Sequence, residues 1–185
     1  MTLKNKEWQM PRLLLFIPLA LFSILILFLW KGLSIDPREL PSALIDKPFP
    51  AFKVEALLSP ERKLTTADIV GKPVLINVWA TWCPSCRQEH EQLLRIAQEN
   101  KIAIIGLNYK DDRTAATKWL TQLGNPYQFN IYDESGMLGL DLGVYGAPET
   151  YLLDAQGIIR HRHVGVVTEQ TWQELQAIIK SWEKL

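Results

Sequence analysis

Cysteine is scarce in this 185-residue chain: there are two, Cys83 and Cys86. They fall short of a four-coordinate zinc site, and the three histidines, His90, His161 and His163, offer no second Cys-x-x-Cys or Cys-x-x-His to complete one. Net charge is absent, with 20 basic residues against 20 acidic, so nothing argues for a nucleic-acid surface. No internal repeat occurs, and no low-complexity segment apart from one apolar run near the N-terminus. A peroxidatic cysteine is disfavoured as well, because no Pro-x-x-x-Thr-x-x-Cys arrangement precedes Cys83.

What is there is a cysteine pair in a telling place. The apolar run Val74-Leu75-Ile76-Asn77-Val78-Trp79-Ala80 gives way at Trp82-Cys83-Pro84-Ser85-Cys86 to a helical pattern. A cysteine at a helix start faces unpaired backbone N–H groups and the positive end of the helix dipole, both of which favour thiolate over thiol. Cys83 is therefore the expected nucleophile. Pro84 suits the first helical turn, where it has no N–H to lose. Cys86, one turn on, is placed to attack a mixed disulfide at Cys83 and release the partner.

The length suits one domain with a real core, plus a tail. Residues 13–30 are apolar except for Ser23 and Pro18, and as a helix they span roughly 27 Å, enough to cross the hydrocarbon layer. A cleaved signal peptide is the rival reading. The run, however, ends in Phe28-Leu29-Trp30-Lys31, bulky residues rather than a small-x-small cleavage site, so retention as an anchor is expected. Lys4, Lys6 and Arg12 before the run, against Lys31 and Arg38 after it, favour a cytoplasmic N-terminus. The expected order is a cytoplasmic N-terminus at 1–12, a transmembrane anchor at 13–30, a linker at 31–47 and an extracytoplasmic domain at 48–185. In a bacterium that places the cysteines in the periplasm, attached to the inner membrane, where a dithiol needs a supply of electrons.

Along the domain, Pro48–Phe52 and then Val54–Leu58 read as an edge strand, Ser59-Pro60-Glu61 as a turn, and Thr65-Thr66-Ala67-Asp68 as the start of a short helix. Residues 73–80 read as a central strand apolar on both faces. The following helix carries Cys86, Leu93, Leu94 and Ala97 on one stripe, and 102–107 form the next buried strand, parallel to the first. Asp111 or Asp112 caps a helix with Ala116, Trp119, Leu120 and Leu123 on its apolar face. Residues 127–132 are short enough to be strand, and 137–142 carry no firm pattern. Strands at 150–153 and 158–164 flank a hairpin-type turn, and Thr168 caps a last helix burying Trp172, Leu175, Ile178, Ile179 and Trp182.

This order, with Trp-Cys-x-x-Cys opening a helix and a Gly-x-Pro segment before the last hairpin, resembles the thioredoxin fold, an α/β architecture with a central mixed β-sheet flanked by helices. More narrowly, Val78 to His90, Gly106-Leu107-Asn108-Tyr109-Lys110-Asp111-Asp112 and Gly143-Val144-Tyr145-Gly146-Ala147-Pro148-Glu149-Thr150 resemble the membrane-anchored thiol:disulfide interchange proteins of cytochrome c maturation, the CcmG/DsbE family. The resemblance implies that the chain keeps the two thiols of the Cys-x-x-Cys-His haem attachment motif of apocytochrome c reduced, directly or through another thiol protein of the maturation system. It also implies a transmembrane thiol reductant of the DsbD or CcdA kind as electron donor, and no cofactor.

Typical thioredoxins carry a carboxylate at the strand position that is Asn77 here, and an amide cannot take the proton that Cys86 must lose. In the resembling family acidic residues at the positions of Glu89 and Glu149 lie near the redox centre, so both are expected to tune it or transfer protons; otherwise Glu89 is a solvated helix residue. The resemblance makes Ala147–Pro148 a cis bond against the disulfide, which exposes the Ala147 backbone to a bound peptide. Trp82 and Tyr145 are expected to form part of the docking surface, with the 108–112 loop a further candidate. His161 and His163 on one strand face are read as an exposed face rather than a metal or haem contact. Two other functions stay open: a general extracytoplasmic reductase for other clients, and a non-catalytic binding subunit of the haem-attachment complex with Cys83–Cys86 as a staple.

Overall fold

The computed structural model describes residues 16–33, 43–99 and 101–182. The chain divides into two units at residue 40. The first holds one helix, α1 (Ile17–Leu33), which is apolar around most of its circumference. No helix among the described residues is long and apolar enough to cross a membrane. Residues 1–15, the expected cytoplasmic N-terminus and the first three residues of the expected span, lie outside the described residues, as does most of the expected linker.

The second unit is organised by a five-stranded mixed sheet. Its strands are β3 (Val74–Trp79), β4 (Ala103–Tyr109), β5 (Asn130–Asp133), β6 (Glu149–Leu153) and β7 (Ile159–Val164), ordered β5-β4-β3-β6-β7. β3, β4 and β5 run parallel, β6 is antiparallel to β3, and β7 is antiparallel to β6. All six residues of β3 are buried, as expected of a central strand. Alternation sends Leu75 and Trp79 to one face, and Val74, Ile76 and Val78 to the other.

Three helices cover the first face: α2 (Pro84–Glu99), α3 (Arg113–Leu123) and α5 (Glu169–Trp182), which pack Leu93, Ile96, Ala116, Leu120, Trp172 and Leu175 against Leu75 and Trp79. The crossovers β3-α2-β4 and β4-α3-β5 advance in the same direction across the sheet. With one preferred hand, both helices must land on the same side. The other face is covered by Phe49, Ala56, Leu64, Ile69 and the short helix α4 (Met137–Asp141) with its buried Leu138.

Several expectations change. The expected edge strand contracts to β1 (Lys53–Glu55), which pairs with an unanticipated strand, β2 (Lys63–Thr65), in a separate two-stranded sheet. Three residues are too few to display a period of two. The helix expected after Thr65 is a 3-10 turn, Thr66–Ile69, opened by the reciprocal capping of Thr65 and Asp68. On α2 it is Ile96 that is fully buried, whereas Leu94 and Ala97 are only partly covered. α4 escaped assignment because it is little more than one turn; its N-terminus is held from outside by Asp133, whose carboxylate accepts from Leu138 N and Gly139 N. Asp112, rather than Asp111, caps α3, accepting from Ala115 N at 2.8 Å.

Candidate active site

Three strand ends converge on the cysteines. β3 runs directly into Thr81-Trp82-Cys83. β4, parallel beside it, delivers Lys110 and Asp111 to the same edge of the sheet, and antiparallel β6 begins there, just after Pro148. The Asp111 carboxylate latches the first two together, accepting from Thr81 N at 2.7 Å, Thr81 Oγ1 at 2.6 Å and Asn108 Nδ2 at 2.9 Å. Trp82 Nε1 donates to Lys110 O at 2.9 Å, which pins the indole while leaving 53% of it exposed beside Cys83.

Cys83 and Cys86 are joined in a disulfide with their Cα atoms 5.3 Å apart. Cys83 precedes the first residue of α2, and the Cys86 N–H points at the Cys83 sulfur at 3.0 Å. That amide belongs to the unpaired first turn of the helix, so it is free to stabilise a thiolate there when the bond opens. Both residues are only 3% exposed, so burial does not rank them. Their place on the helix does: Cys83 lies at its mouth and Cys86 on its buried stripe.

Glu89, one turn beyond Cys86, is on that stripe too and is 1% exposed, which removes the solvated reading. Its carboxylate accepts from Asn77 Nδ2 at 2.9 Å and from Val167 N at 2.8 Å. Burial pushes its pKa up to about 7, with these two bonds working in the opposite direction. Asn77, buried in mid-strand, uses its second amide proton on Thr150 Oγ1 at 3.1 Å and accepts from the Tyr127 hydroxyl at 2.8 Å. The position that cannot itself take a proton thus holds the side chain that can.

Glu149 is fully buried on the other face of the sheet. Arg162 pairs with it through Nη2 at 2.8 Å and Nε at 3.0 Å, and the Tyr151 hydroxyl donates at 2.8 Å. Its remaining oxygen accepts from Tyr145 N at 2.8 Å and Gly146 N at 3.4 Å. Glu149 therefore ties down the loop that carries the cis bond Ala147–Pro148. Pro148 is buried, and Ala147 packs against the cluster that contains both cysteines. Tyr145 stands 72% exposed, with the Arg162 guanidinium 4.6 Å over its ring.

The family model for Redoxin matches residues 45–179. The thiol:disulfide interchange protein DsbE of Pseudomonas aeruginosa is 59% identical over 165 residues, covering 89% of this chain and 91% of that protein. The chain belongs to the DsbE family. The Escherichia coli K12 DsbE is 50% identical over 182 residues, covering 95% of this chain and 96% of its own. Among solved structures, a DsbF homologue from Corynebacterium diphtheriae is 25% identical with a TM-score of 0.63, covering 77% of this chain and 96% of that one. The fold is thioredoxin-like, and the chain is a protein-disulfide oxidoreductase whose redox centre is Cys83–Cys86.

In this DsbE-family site the residues that sequence reasoning missed are partners rather than actors: Arg162, Tyr127, Thr150 and the Val167 amide. Arg162 had a signal, since a cation between two histidines on a strand faces away from both and toward the Glu149 and Tyr151 side. Tyr127 and Val167 had none. The histidines take other work. His90 is buried, with Nε2 3.0 Å from Gly124 O and its pKa lowered by burial. His161 and His163 are half-buried rather than exposed, and His163 Nε2 is 3.1 Å from Val166 O. Among the described residues no three His, Cys, Asp or Glu side chains are grouped to hold a metal ion.

Proposed function

We propose that this oxidoreductase reduces disulfides of apocytochrome c, or of a partner thiol protein of the maturation system, in the periplasm before haem is attached. The support for that client is the likeness to the family in the 106–112 and 143–150 stretches, joined to a site whose exposed rim is aromatic and whose floor holds a proton acceptor. The single observation that carries the exchange chemistry is the buried Glu89 carboxyl, one turn from Cys86 and poised near neutrality.

The Cys83 thiolate attacks one sulfur of the client disulfide, and the client's other sulfur leaves as a thiolate. Cys86 gives its proton to Glu89 and attacks Cys83 Sγ. The mixed disulfide breaks, the Cys83–Cys86 bond forms, and the client departs with two electrons more and, once its sulfurs take up protons, two thiols. Cys83 and Cys86 are the catalytic pair and Glu89 the base, while Glu149 and Pro148 shape the loop against them. The client lies extended along Ala147, between Trp82 and Tyr145, with backbone pairing to Ala147. Among the described residues no hydrogen bond occupies the Ala147 N–H or carbonyl.

A transmembrane thiol reductant of the DsbD or CcdA type restores the dithiol. Residues 13–30 anchor the chain in the inner membrane, with residues 1–12 cytoplasmic and the domain from 48 onward periplasmic, joined by the 31–47 linker.

The test is a Cys86→Ala trap in the full chain, expressed in cells assembling c-type cytochromes. The expected adduct joins Cys83 to a cysteine of a Cys-x-x-Cys-His peptide, or to a thiol protein that itself carries that peptide. Adducts with unrelated clients alone would establish a general reductase instead. Cytochrome assembly that survives Cys83→Ala would leave only a binding subunit.

A further inference from the structure

Tyr127 has no step in the exchange described above, yet it is locked in place. Its ring stacks on Trp79 with centroids 5.6 Å apart and planes within 16°, its backbone N–H donates to Asn125 Oδ1 at 3.0 Å, and it is 5% exposed. Its hydroxyl has one described partner, Asn77 Oδ1. Burial and the neighbouring Glu89 hold its phenol far above the ordinary range, so it remains a donor at any relevant pH.

An asparagine amide turned about its Cβ–Cγ axis keeps its shape while exchanging acceptor for donor. Asn77 therefore has two arrangements in the same space. In one its NH2 faces Glu89 and Thr150, which suits a carboxylate. In the other its oxygen faces them, which suits a protonated Glu89 able to donate. The turned arrangement would set the Asn77 NH2 against the Tyr127 hydroxyl and leave the phenol proton without an acceptor in a buried site, a costly outcome.

We infer that Tyr127 is a positioning residue for the exchange reaction: by donating to Asn77 Oδ1 it holds the amide with its NH2 toward Glu89 and keeps that carboxyl in its proton-accepting form. The inference rests on the reading of Glu89 as the base. The titratable groups packed around Glu89 are few. Cys86 shares its helix, and Tyr127 reaches in from the segment before β5. From β7, His163 is registered opposite Thr150 and turned to Val166 O. His90 on α2 is turned to Gly124 O, and Glu169 on α5 is held by Gln92.

The test is a carbon-13 titration of the Glu89 carboxyl in the oxidised full chain. In Tyr127→Phe, which keeps the stacked ring, the midpoint is expected to rise by about 0.5–1 pH unit, the worth of one hydrogen bond. Release of a mixed disulfide by Cys86 then slows about three- to tenfold below the midpoint and regains the parent rate on the alkaline plateau. A merely structural role would lower the plateau as well, and in a Glu89→Gln background Tyr127→Phe is expected to leave the pH profile unchanged. An unmoved or lowered midpoint overturns the inference. A midpoint that rises while the rate stays put leaves Tyr127 orienting Asn77 but overturns its role in the exchange, and with it the reading of Glu89 as the base. If Tyr127→Phe does not fold, 3-fluorotyrosine at 127, a stronger donor of nearly the same shape, is expected to move the midpoint down, and no movement overturns the inference.

Discussion

Glu89 and Glu149 lie on opposite faces of the same sheet. Glu89 reaches Asn77 from α2, and Asn77 is registered against Thr150; the next residue along, Glu149, points through to Tyr151 and Arg162. The two acids are therefore not interchangeable. One is uncompensated by any described cation and shares a helix face with Cys86, while the other is neutralised by an arginine and bonded to the cis-proline loop.

If Glu89 takes the Cys86 proton, Glu89→Gln should slow release of a trapped client about 100-fold at neutral pH, within the usual worth of a positioned base. It should also erase the inflection near pH 7 that the Glu89 pKa produces. Stopped-flow reduction of an oxidised Cys-x-x-Cys-His peptide across pH 5 to 9 measures both. Retention of the inflection would assign it to another group.

The same carboxyl makes stability depend on pH. Its folded pKa, about 7, lies above its ordinary 4.5, so the native state holds the proton more tightly than the unfolded chain. Stability is full below the ordinary value, falls as pH rises through this window, and levels off above it. The expected loss is about 3 kcal/mol, and Glu89→Gln should remove the slope. Urea unfolding at pH 5 and pH 8 checks this.

Arg162→Met leaves the Glu149 carboxylate buried without its cation. Both side chains are almost wholly enclosed, at 4% and 0% exposure, so the expected cost is about 3 kcal/mol. Hydrogen exchange at the Tyr145 and Gly146 amides should quicken, because their acceptor is no longer held. Glu149→Gln with Arg162→Met should recover part of the loss.

Asp111→Ala removes the latch between Thr81 and the β4-α3 loop, including two bonds shorter than 2.8 Å. A loss of about 2 kcal/mol is expected from hydrogen bonds to a charged acceptor. Trp82 should become more mobile by fluorescence anisotropy as the turn loosens. An unchanged anisotropy would show that the indole is held without the latch.

Gly106→Ala would drive a methyl group into Asn130 Oδ1 and to 2.8 Å from Trp79 Nε1, breaking the bond of 3.0 Å between them. About 2 kcal/mol of overpacking is expected from thermal unfolding. Activity at permissive temperature should survive, because the bond lost is separate from those made by Cys83, Cys86 and Glu89.

Much of this was legible in one dimension. The Trp-Cys-x-x-Cys motif at a strand-to-helix junction, the apolar run of β3 broken by Asn77, and the caps at Thr168 and at one of the pair Asp111 and Asp112 depend on neighbours within a few residues, where backbone geometry and side-chain chemistry are local. The same locality identified Cys83 as the sulfur at the helix mouth. Short elements were not legible: β2 and α4 hold too few residues to show a period, and they exist because Leu64 and Leu138 fill the sheet's outer face. Nor could sequence separate the two acids, since parity along β6, the fold of α2 and the return of β7 jointly decide which carboxyl meets an arginine and which meets an amide. The residues alone determined the chemistry at Cys83 and Cys86. Only the tertiary structure decided what surrounds it, because the dielectric, the counter-charge and the hydrogen-bond partners of Glu89 come from chain as many as 78 residues away.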